Sequence, residues 1–366
     1  MAESQDMSRA ARLAGYGAVS TSLALTSDQR LRELLDAATP VGAGIGGRSA
    51  LLEVAGTPVF VKQVPLTDRE LLPGSARSTA NVFGLPTFCQ YGMGRSGIGS
   101  PGFGAWRELA VHTMTTDWAL TGDHDGFPLM YHWRVLPEPE PVPLPEELAD
   151  MDAAVSAWDG RPEVRGRIEA LRQASSSIAL FLEYIPQNLH VWLGEQIEGG
   201  DHAAADRACA MVERELAAGT SFMNARGLLH FDAHFENILT DGSRLFFTDY
   251  GLSLSDRFEL SADEAAFFRR NESYDRCYST THLVIWLATA LFGYWGEDRT
   301  AFLRTCAEGE RPTGIPEAAA DILMRHAPIA LVMGDFYRGL RDESRETPYP
   351  LDRIRQLGGP YAGSSD

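Results

Sequence analysis

A chain of 366 residues is long enough for two lobes or two small domains with an ample core. Its hydrophobic content of 44% and charged content of 22% are those of an ordinary soluble globular protein. A formal charge of -18 argues against a nucleic-acid binder, which needs a basic face; it is compatible with a cationic substrate, and acidic surfaces often serve only solubility. Cys89, Cys209, Cys277 and Cys306 are scattered with no Cys-x-x-Cys pair, as expected of reduced thiols and of neither a disulfide framework nor a zinc site. The N-terminus lacks a long apolar core, and the most hydrophobic run, Leu283 to Gly293, is too short to span a bilayer. The expectation is a cytoplasmic protein with no membrane or nucleic-acid partner.

In chain order, residues 1–25 are small and polar and predict a flexible tail with at most one helical turn. Thr26-Ser27-Asp28-Gln29 has the form of a capping box, and Leu31, Leu34 and Leu35 add an apolar stripe, so a short helix to about Ala38 follows. Gly42, Gly44 and Gly47 satisfy G-x-G-x-x-G, and the chain then runs through Leu51 to Val54, a turn at Ala55 to Pro58, and Val59-Phe60-Val61-Lys62. A dinucleotide-binding loop would run straight into a helix, whereas this glycine loop lies between strands.

Residues 66–104 are read as a flexible insertion, with a lid facing the substrate as its functional version. Inside it, Thr87 to Tyr91 followed by Gly92-Met93-Gly94-Arg95-Ser96-Gly97 has the form of a strand with a dinucleotide fingerprint, and Asp117 stands twenty residues beyond Gly97. Gly99, Pro101, Gly102 and Gly104 continue the helix breakers, so no helix starts at the third glycine and a dehydrogenase reading fails. Ala105 to Leu120 is the first strong helix. Phe127 to Leu136 reads as a strand, residues 137–145 as an extended proline-rich connector, Met151 to Gln173 as a helix, and Ile178 to Pro186 as a buried strand with a proline stop. A long helix from His202 to Arg226 is closed by Gly227.

Leu229 to Leu239 and Phe246 to Gly251 then read as two short hydrophobic strands whose ends present His230, Asp232, Asn237 and Asp249. An Asn carbonyl with an Asp carboxylate supplies two oxygen ligands to a hard divalent cation and leaves positions for water and phosphate. The remaining carboxylate, Asp232, can then accept a proton from an attacking hydroxyl. This stretch resembles the catalytic-loop and metal-aspartate pattern of the protein-kinase signature set, with Asp-Tyr-Gly in place of Asp-Phe-Gly. The chain resembles the protein-kinase-like superfamily, and more narrowly its aminoglycoside-phosphotransferase and choline-kinase branch. The matching motifs fall in the right chain order across most of Val41 to Gly251.

The resemblance implies an α+β, two-lobed protein-kinase-like fold. A β-rich N-lobe with one C-helix would span 26–182, with insertions at about 66–104 and 137–174. A mainly helical C-lobe carrying the catalytic loop would span 183–345, with a C-terminal tail at 346–366 whose last residues, from Gly358, are expected to be disordered. It implies ATP and Mg2+ as cofactors. Gly42, Gly44 and Gly47 would let backbone N–H groups approach phosphate, and Lys62 would contact the α- and β-phosphates. Glu108, in Arg-Glu-x-x-Val, would pair with Lys62; its competitor Glu70 is followed by the helix break at Pro73-Gly74. The Glu183 carbonyl and Ile185 N–H would bind adenine, with Leu182 behind it. Asp232 would be the catalytic base, Asn237 and Asp249 would hold Mg2+, and His230 would brace the turn. Phe231 stands where protein kinases place an arginine that reads activation-loop phosphorylation, and no Ala-Pro-Glu follows Gly251, which implies no phosphorylation-gated segment. His234 stands where small-molecule phosphotransferases place histidine. The implied reaction moves the γ-phosphoryl of ATP to a hydroxyl of a small molecule, aminoglycoside-like or another metabolite. The alternatives are a Ser/Thr kinase acting on a protein or a biosynthetic precursor peptide, and a nucleotide-binding pseudokinase scaffold.

Overall fold

The computed structural model describes residues 8–92, 94, 97–140, 142–358 and 361. The chain is α+β and divides into two compact units. The first runs to Ile185 and also takes Asp249–Ser253 and Phe258–Ser261; the second holds Pro186–Thr248, Leu254–Arg257 and the chain from Ala262 onward.

The first unit contains α1 (Arg9–Ala24), α2 (Asp28–Asp36), β1 (Thr39–Gly44), β2 (Gly47–Val54), β3 (Thr57–Leu66), α3 (Asp68–Leu71), a 3-10 turn (Thr87–Tyr91), α4 (Ala105–Thr121), β4 (Met130–Pro137), α5 (Glu146–Ala149), α6 (Met151–Ala157), α7 (Pro162–Arg172) and β5 (Ser176–Glu183). Its five strands form one antiparallel sheet in the order β1-β2-β3-β5-β4. Every residue of β5 is buried, which is why this segment reads as a continuous apolar run without alternation. One face of the sheet (Val59, Val61, Ala179, Phe181) packs on Val19 and Leu23 of α1 and Leu31 of α2. The other (Val64, Leu66, Ile178, Leu180, Leu182) packs on Ala105, Trp106 and Leu109 of α4.

Three expectations are corrected here. The N-terminal tail is a helix over Arg9–Ala24, started by Ser8, whose side chain accepts from the Ala11 N–H. The helix is held by Arg12, which donates through Nε and Nη2 to the two carboxylate oxygens of Glu183 at 2.9 and 2.8 Å. The 66–104 stretch is packed, with Phe83, Leu85, Phe88 and Tyr91 all buried, and Thr87–Tyr91 is a 3-10 turn instead of a strand. Met93, Arg95 and Ser96 of the rejected fingerprint lie outside the described residues. The expected helix over Met151 to Gln173 is two helices, because Asp159 and Gly160 both adopt positive φ (56° and 68°) and turn the chain between them.

The second unit contains β6 (Gln187–Asn188), α8 (Leu189–Glu198), α9 (His202–Ala225), β7 (Leu228–Leu229), β8 (Ile238–Thr240), β9 (Leu245–Phe247), β10 (Leu254–Ser255), α10 (Ala262–Arg270), α11 (Tyr274–Phe292), α12 (Gly296–Ala307), α13 (Glu317–Asp342) and α14 (Leu351–Leu357). Its core is helical: α11 packs on α13 and α9, and α12 packs on α13. Two small sheets, β10-β7 and β6-β8-β9, sit at the loops that carry polar residues. The C-terminal region, expected as a tail, contains α14, and Tyr361 is buried with its hydroxyl bonded to His326 Nδ1; residues 359–360 and 362–366 lie outside the described residues. Among the described residues no helix is long and apolar enough to cross a membrane.

Candidate functional site

In the first unit, Lys62 stands on β3 with its side chain toward α4. Its Nζ lies 2.7 Å from Glu108 Oε1 and donates to Asp249 Oδ1 at 2.9 Å. Lys62 and Glu108 are almost fully buried, whereas the Asp249 side chain is 40% exposed. Burial alone would push the Lys62 pKa down, but the charges of Asp249 and Glu108 outweigh it and the ammonium is held more firmly than in water. Burial, followed by the repulsion of Asp249, pushes the Glu108 pKa up against the pull of Lys62. Glu70, the rejected competitor, is committed elsewhere: it accepts from Ala105 N at 2.8 Å, capping α4, and from Arg167 Nη1 at 2.9 Å.

Asp249 is held by its neighbours. Its φ is +62°, a left-handed value that a non-glycine residue keeps only under constraint. Its carboxylate accepts from the Gly251 N–H at 3.4 Å. Tyr250 is fully buried with its ring 4.7 Å from that of His112 on α4, and its hydroxyl bonds Thr115 of the same helix. The tyrosine therefore ties the residue after Asp249 to the helix that carries Glu108.

The glycines divide differently from the fingerprint. Gly42 and Gly44 lie within β1 and have ordinary negative φ, whereas the turn is made by Ile45 and Gly46. Gly47 has φ +116°, and a Cβ there would collide with the Gln63 carbonyl. A Cβ on Gly46 would sit 3.0 Å from Lys62 Nζ and 3.8 Å from Asp249 Oδ2. Gly46, which the fingerprint skips, is thus the glycine that approaches the lysine; the doubled glycine between two strands was its only signal. Glu183 ends β5 with its carboxylate buried on Arg12 and the Leu129 N–H, and its backbone is paired opposite Val59. Ile185 is buried and closes the first long segment of the unit.

In the second unit, β7 leads into His230-Phe231-Asp232. Phe231 has φ +65°, and the turn is clamped from α11: Asp275 accepts the backbone N–H of His230 at 2.5 Å and of Phe231 at 2.8 Å. Burial raises the Asp275 pKa to about 6 despite those two bonds. The His230 ring has a defined tautomer, because Nδ1 accepts from Asp232 N at 3.3 Å, leaving Nε2–H to donate to the Thr248 carbonyl at 2.9 Å. Asn237 Nδ2 donates to Asp232 at both the carbonyl and Oδ2, each at 3.1 Å. That orientation leaves the Asn237 amide oxygen on the opposite side of the group. His234 Nδ1 bonds Glu236 Oε2 at 2.8 Å while its Nε2 lies 3.8 Å from Asp232 Oδ1. The His234 bond pulls the Glu236 pKa down to about 2. Phe231 itself is buried between Phe267 and Tyr274 (ring centroids 5.5 and 4.9 Å), so this position has become core.

The sequence reading missed Asp275, the one carboxylate of α11, buried in its first turn; that isolation was the available signal. Among the described residues no group of three His, Cys, Asp or Glu side chains forms a metal cage. An amide oxygen such as that of Asn237 and a carboxylate such as that of Asp249 are each, taken singly, hard oxygen donors of the kind that Mg2+ accepts beside phosphate and water. No protein-family model matches the chain, and a search of curated proteins finds no match.

Proposed function

We propose that this chain is a Mg2+- and ATP-dependent phosphotransferase of the protein-kinase-like type, with a hydroxyl of a small molecule as acceptor. The observation that carries the reading is the buried Lys62 ammonium bridging Glu108 and Asp249 at 2.7 and 2.9 Å. A strand lysine, a helix glutamate and an Asp-x-Gly aspartate, far apart in sequence, meet with the partners that phosphoryl transfer requires. The antiparallel sheet with its glutamate-bearing helix, and the mainly helical second unit, support assignment to the two-lobed kinase-like architecture.

In this mechanism Lys62, steadied by Glu108, neutralises phosphate charge, and the backbone at Gly46 and Gly47 lines the hairpin that covers it. Asn237 and Asp249 are assigned as Mg2+ ligands; the ion, when bound, offsets the negative charge of the phosphate oxygens. Asp232 takes the acceptor hydroxyl proton on a carboxylate oxygen, and the Asn237 bond to Oδ2 fixes which way that carboxylate faces. His230 and Asp275 hold the turn that carries Asp232. Glu183 and Ile185 keep their assignment to adenine through backbone groups only, since the Glu183 side chain is engaged with Arg12. The Ala233-His234 pair favours a small acceptor. All four cysteines are free and buried, which suits the cytoplasmic setting proposed for the chain.

ATP turnover with Mg2+ against aminoglycosides, amino alcohols, nucleosides and Ser/Thr peptides tests the reading. Acceptor-stimulated turnover should fall by about 100- to 10,000-fold in Asp232→Asn with ATP binding nearly intact. Asp249→Asn should abolish Mg2+-dependent turnover. Stimulation by peptides alone would move the assignment to a peptide kinase. ATP binding with no turnover on any acceptor class would leave a scaffold.

A further inference from the structure

Residues of a helix spaced by three, four and seven positions return to the same side. On α11 that puts Asp275, Tyr278, His282 and Trp286 on one face, and Asp275 fixes this face beside the turn that carries Asp232 through its bonds to the His230 and Phe231 N–H groups. The following turns of the helix therefore run past the Asp232 loop. The His282 ring lies 4.7 Å from that of the buried Phe235 and 6.2 Å from that of His234, and the Trp286 ring lies 5.9 Å from Phe235.

Tyr278 and His282 are half-buried: their rings are packed while their polar tips reach the surface. Among the described residues, neither the Tyr278 hydroxyl nor a His282 ring nitrogen has a hydrogen-bond partner. Burial, and then the charge of Asp232, raise the Tyr278 pKa and keep its O–H a donor. Burial, and then the charge of His234, push the His282 pKa down to about 4, so at pH 7 the ring is neutral with one donor and one acceptor nitrogen. The two carboxylates at this edge are already engaged: Asp232 Oδ2 accepts from Asn237 Nδ2 at 3.1 Å, and Glu236 Oε2 bonds His234 Nδ1 at 2.8 Å. Trp286 donates its N–H to His190 Nδ1 at 3.1 Å, so what it offers is ring surface. The polar groups that α11 leaves for a ligand here are uncharged.

We propose that the acceptor is a neutral polyol, a sugar or cyclitol, whose hydroxyls flanking the reacting one bond to Tyr278 Oη and to the His282 ring. The proposal rests on the phosphotransfer reading and names its acceptor class. A polyol hydroxyl both donates and accepts, so it can accept from the Tyr278 O–H and meet either nitrogen of a neutral imidazole. An ammonium only donates, so the Tyr278 O–H and the imidazole N–H would find no acceptor in it. In the transfer, the reacting oxygen bonds the γ-phosphorus as the bond to the β,γ-bridging oxygen breaks, ADP leaves, and the hydroxyl proton passes to Asp232.

The test uses the full chain with Mg2+ and ATP, and acceptors that differ in one charged group: sorbitol beside glucamine, and scyllo-inositol beside scyllo-inosamine. The neutral member of each pair should give the higher kcat/KM, by about tenfold or more. Tyr278→Phe and His282→Phe keep a ring and lose the polar tip. Each should raise the KM of the neutral acceptor by about two- to tenfold, the worth of one hydrogen bond, with the KM for ATP unmoved. His282→Gln, which keeps a donor and an acceptor, should recover part of that loss. Equal or better turnover of the charged members, or a polyol KM that neither substitution moves, would overturn the polyol assignment and leave the phosphotransferase standing. If no acceptor is turned over, the phosphotransferase reading falls, and ligand-observed NMR of sorbitol and scyllo-inositol on the same protein decides the site. Saturable binding at millimolar concentration that Tyr278→Phe weakens supports it, and absence of such binding overturns it.

Discussion

A few side chains hold strained backbone at the positions where chemistry is proposed. Asp275 satisfies two N–H groups of a turn whose Phe231 sits at φ +65°. Asp275→Ala leaves both buried donors unpaired, at about 1–3 kcal/mol each, so a loss of about 2–6 kcal/mol is expected in urea unfolding. Asp275→Asn keeps one acceptor oxygen and should fall between. The same residue gives a pH signature. Its carboxyl binds a proton more tightly when folded (about 6) than in the unfolded chain, where the ordinary value of 3.8 applies, so its protonation stabilises the fold fully below 3.8, and this stabilisation is lost as pH rises through about 6. The stability gap between wild type and Asp275→Asn should therefore widen as pH is lowered from 6 to 4, and a gap that stays flat in melts across that window would remove the buried carboxyl as its cause. Tyr250→Phe removes only the hydroxyl that meets Thr115, and the expected cost is about 1 kcal/mol in the same assay.

Among the elements, the hairpin separates three glycines that one fingerprint treats alike. Gly44→Ala meets nothing within 4 Å and should be tolerated, whereas Gly47→Ala meets the Gln63 backbone at a positive φ and should destabilise by more than about 1 kcal/mol. Gly46→Ala should leave stability near wild type and, under the proposed function, weaken ATP binding, because its methyl group crowds Lys62 Nζ. Helix α1 depends on one buried pair. Arg12→Ala strands Glu183 in the core, and a cost of about 3–5 kcal/mol is expected, partly recovered by adding Glu183→Gln. Helix α9 and strand β5 were legible from sequence because a long amphipathic period closed by Gly227, and an apolar run closed by Pro186, are local signals. Helix α1 was not. Its Ala-, Gly- and Ser-rich residues carry little stripe, and its anchor, Arg12 on Glu183, joins positions 171 residues apart. The 66–104 stretch misled for the same reason: its glycines and prolines mark turns, and turns can be packed as tightly as helices. Lys62, Glu108, Asp249 and the Asp232 loop could be singled out because each sits in a short local motif; that Asp249 meets Lys62 could not. Gly46 and Asp275 were not, because their roles arise only when separate strands and helices meet.

At the scale of the molecule, the two units are tied by more than one covalent crossing. Asp249–Ser253 and Phe258–Ser261 belong to the first unit although the chain around them belongs to the second. Each unit has its own core, so calorimetric unfolding should depart from a two-state transition, with a van't Hoff enthalpy below the calorimetric one. A fragment ending at Ile185 would lack Tyr250, whose ring fills the slot beside His112, and should expose apolar surface to a dye such as ANS. The same threading sets a schedule during synthesis. A growing chain folds from its N-terminal end, so the sheet and α4 can assemble on the ribosome while Lys62 has only Glu108 for company. The third member of the cluster arrives only after the whole Asp232 loop has been translated. A nascent chain, or one truncated before Asp249, therefore leaves Lys62 with Glu108 alone, and the three-membered cluster forms only in a chain that already carries the Asp232 loop.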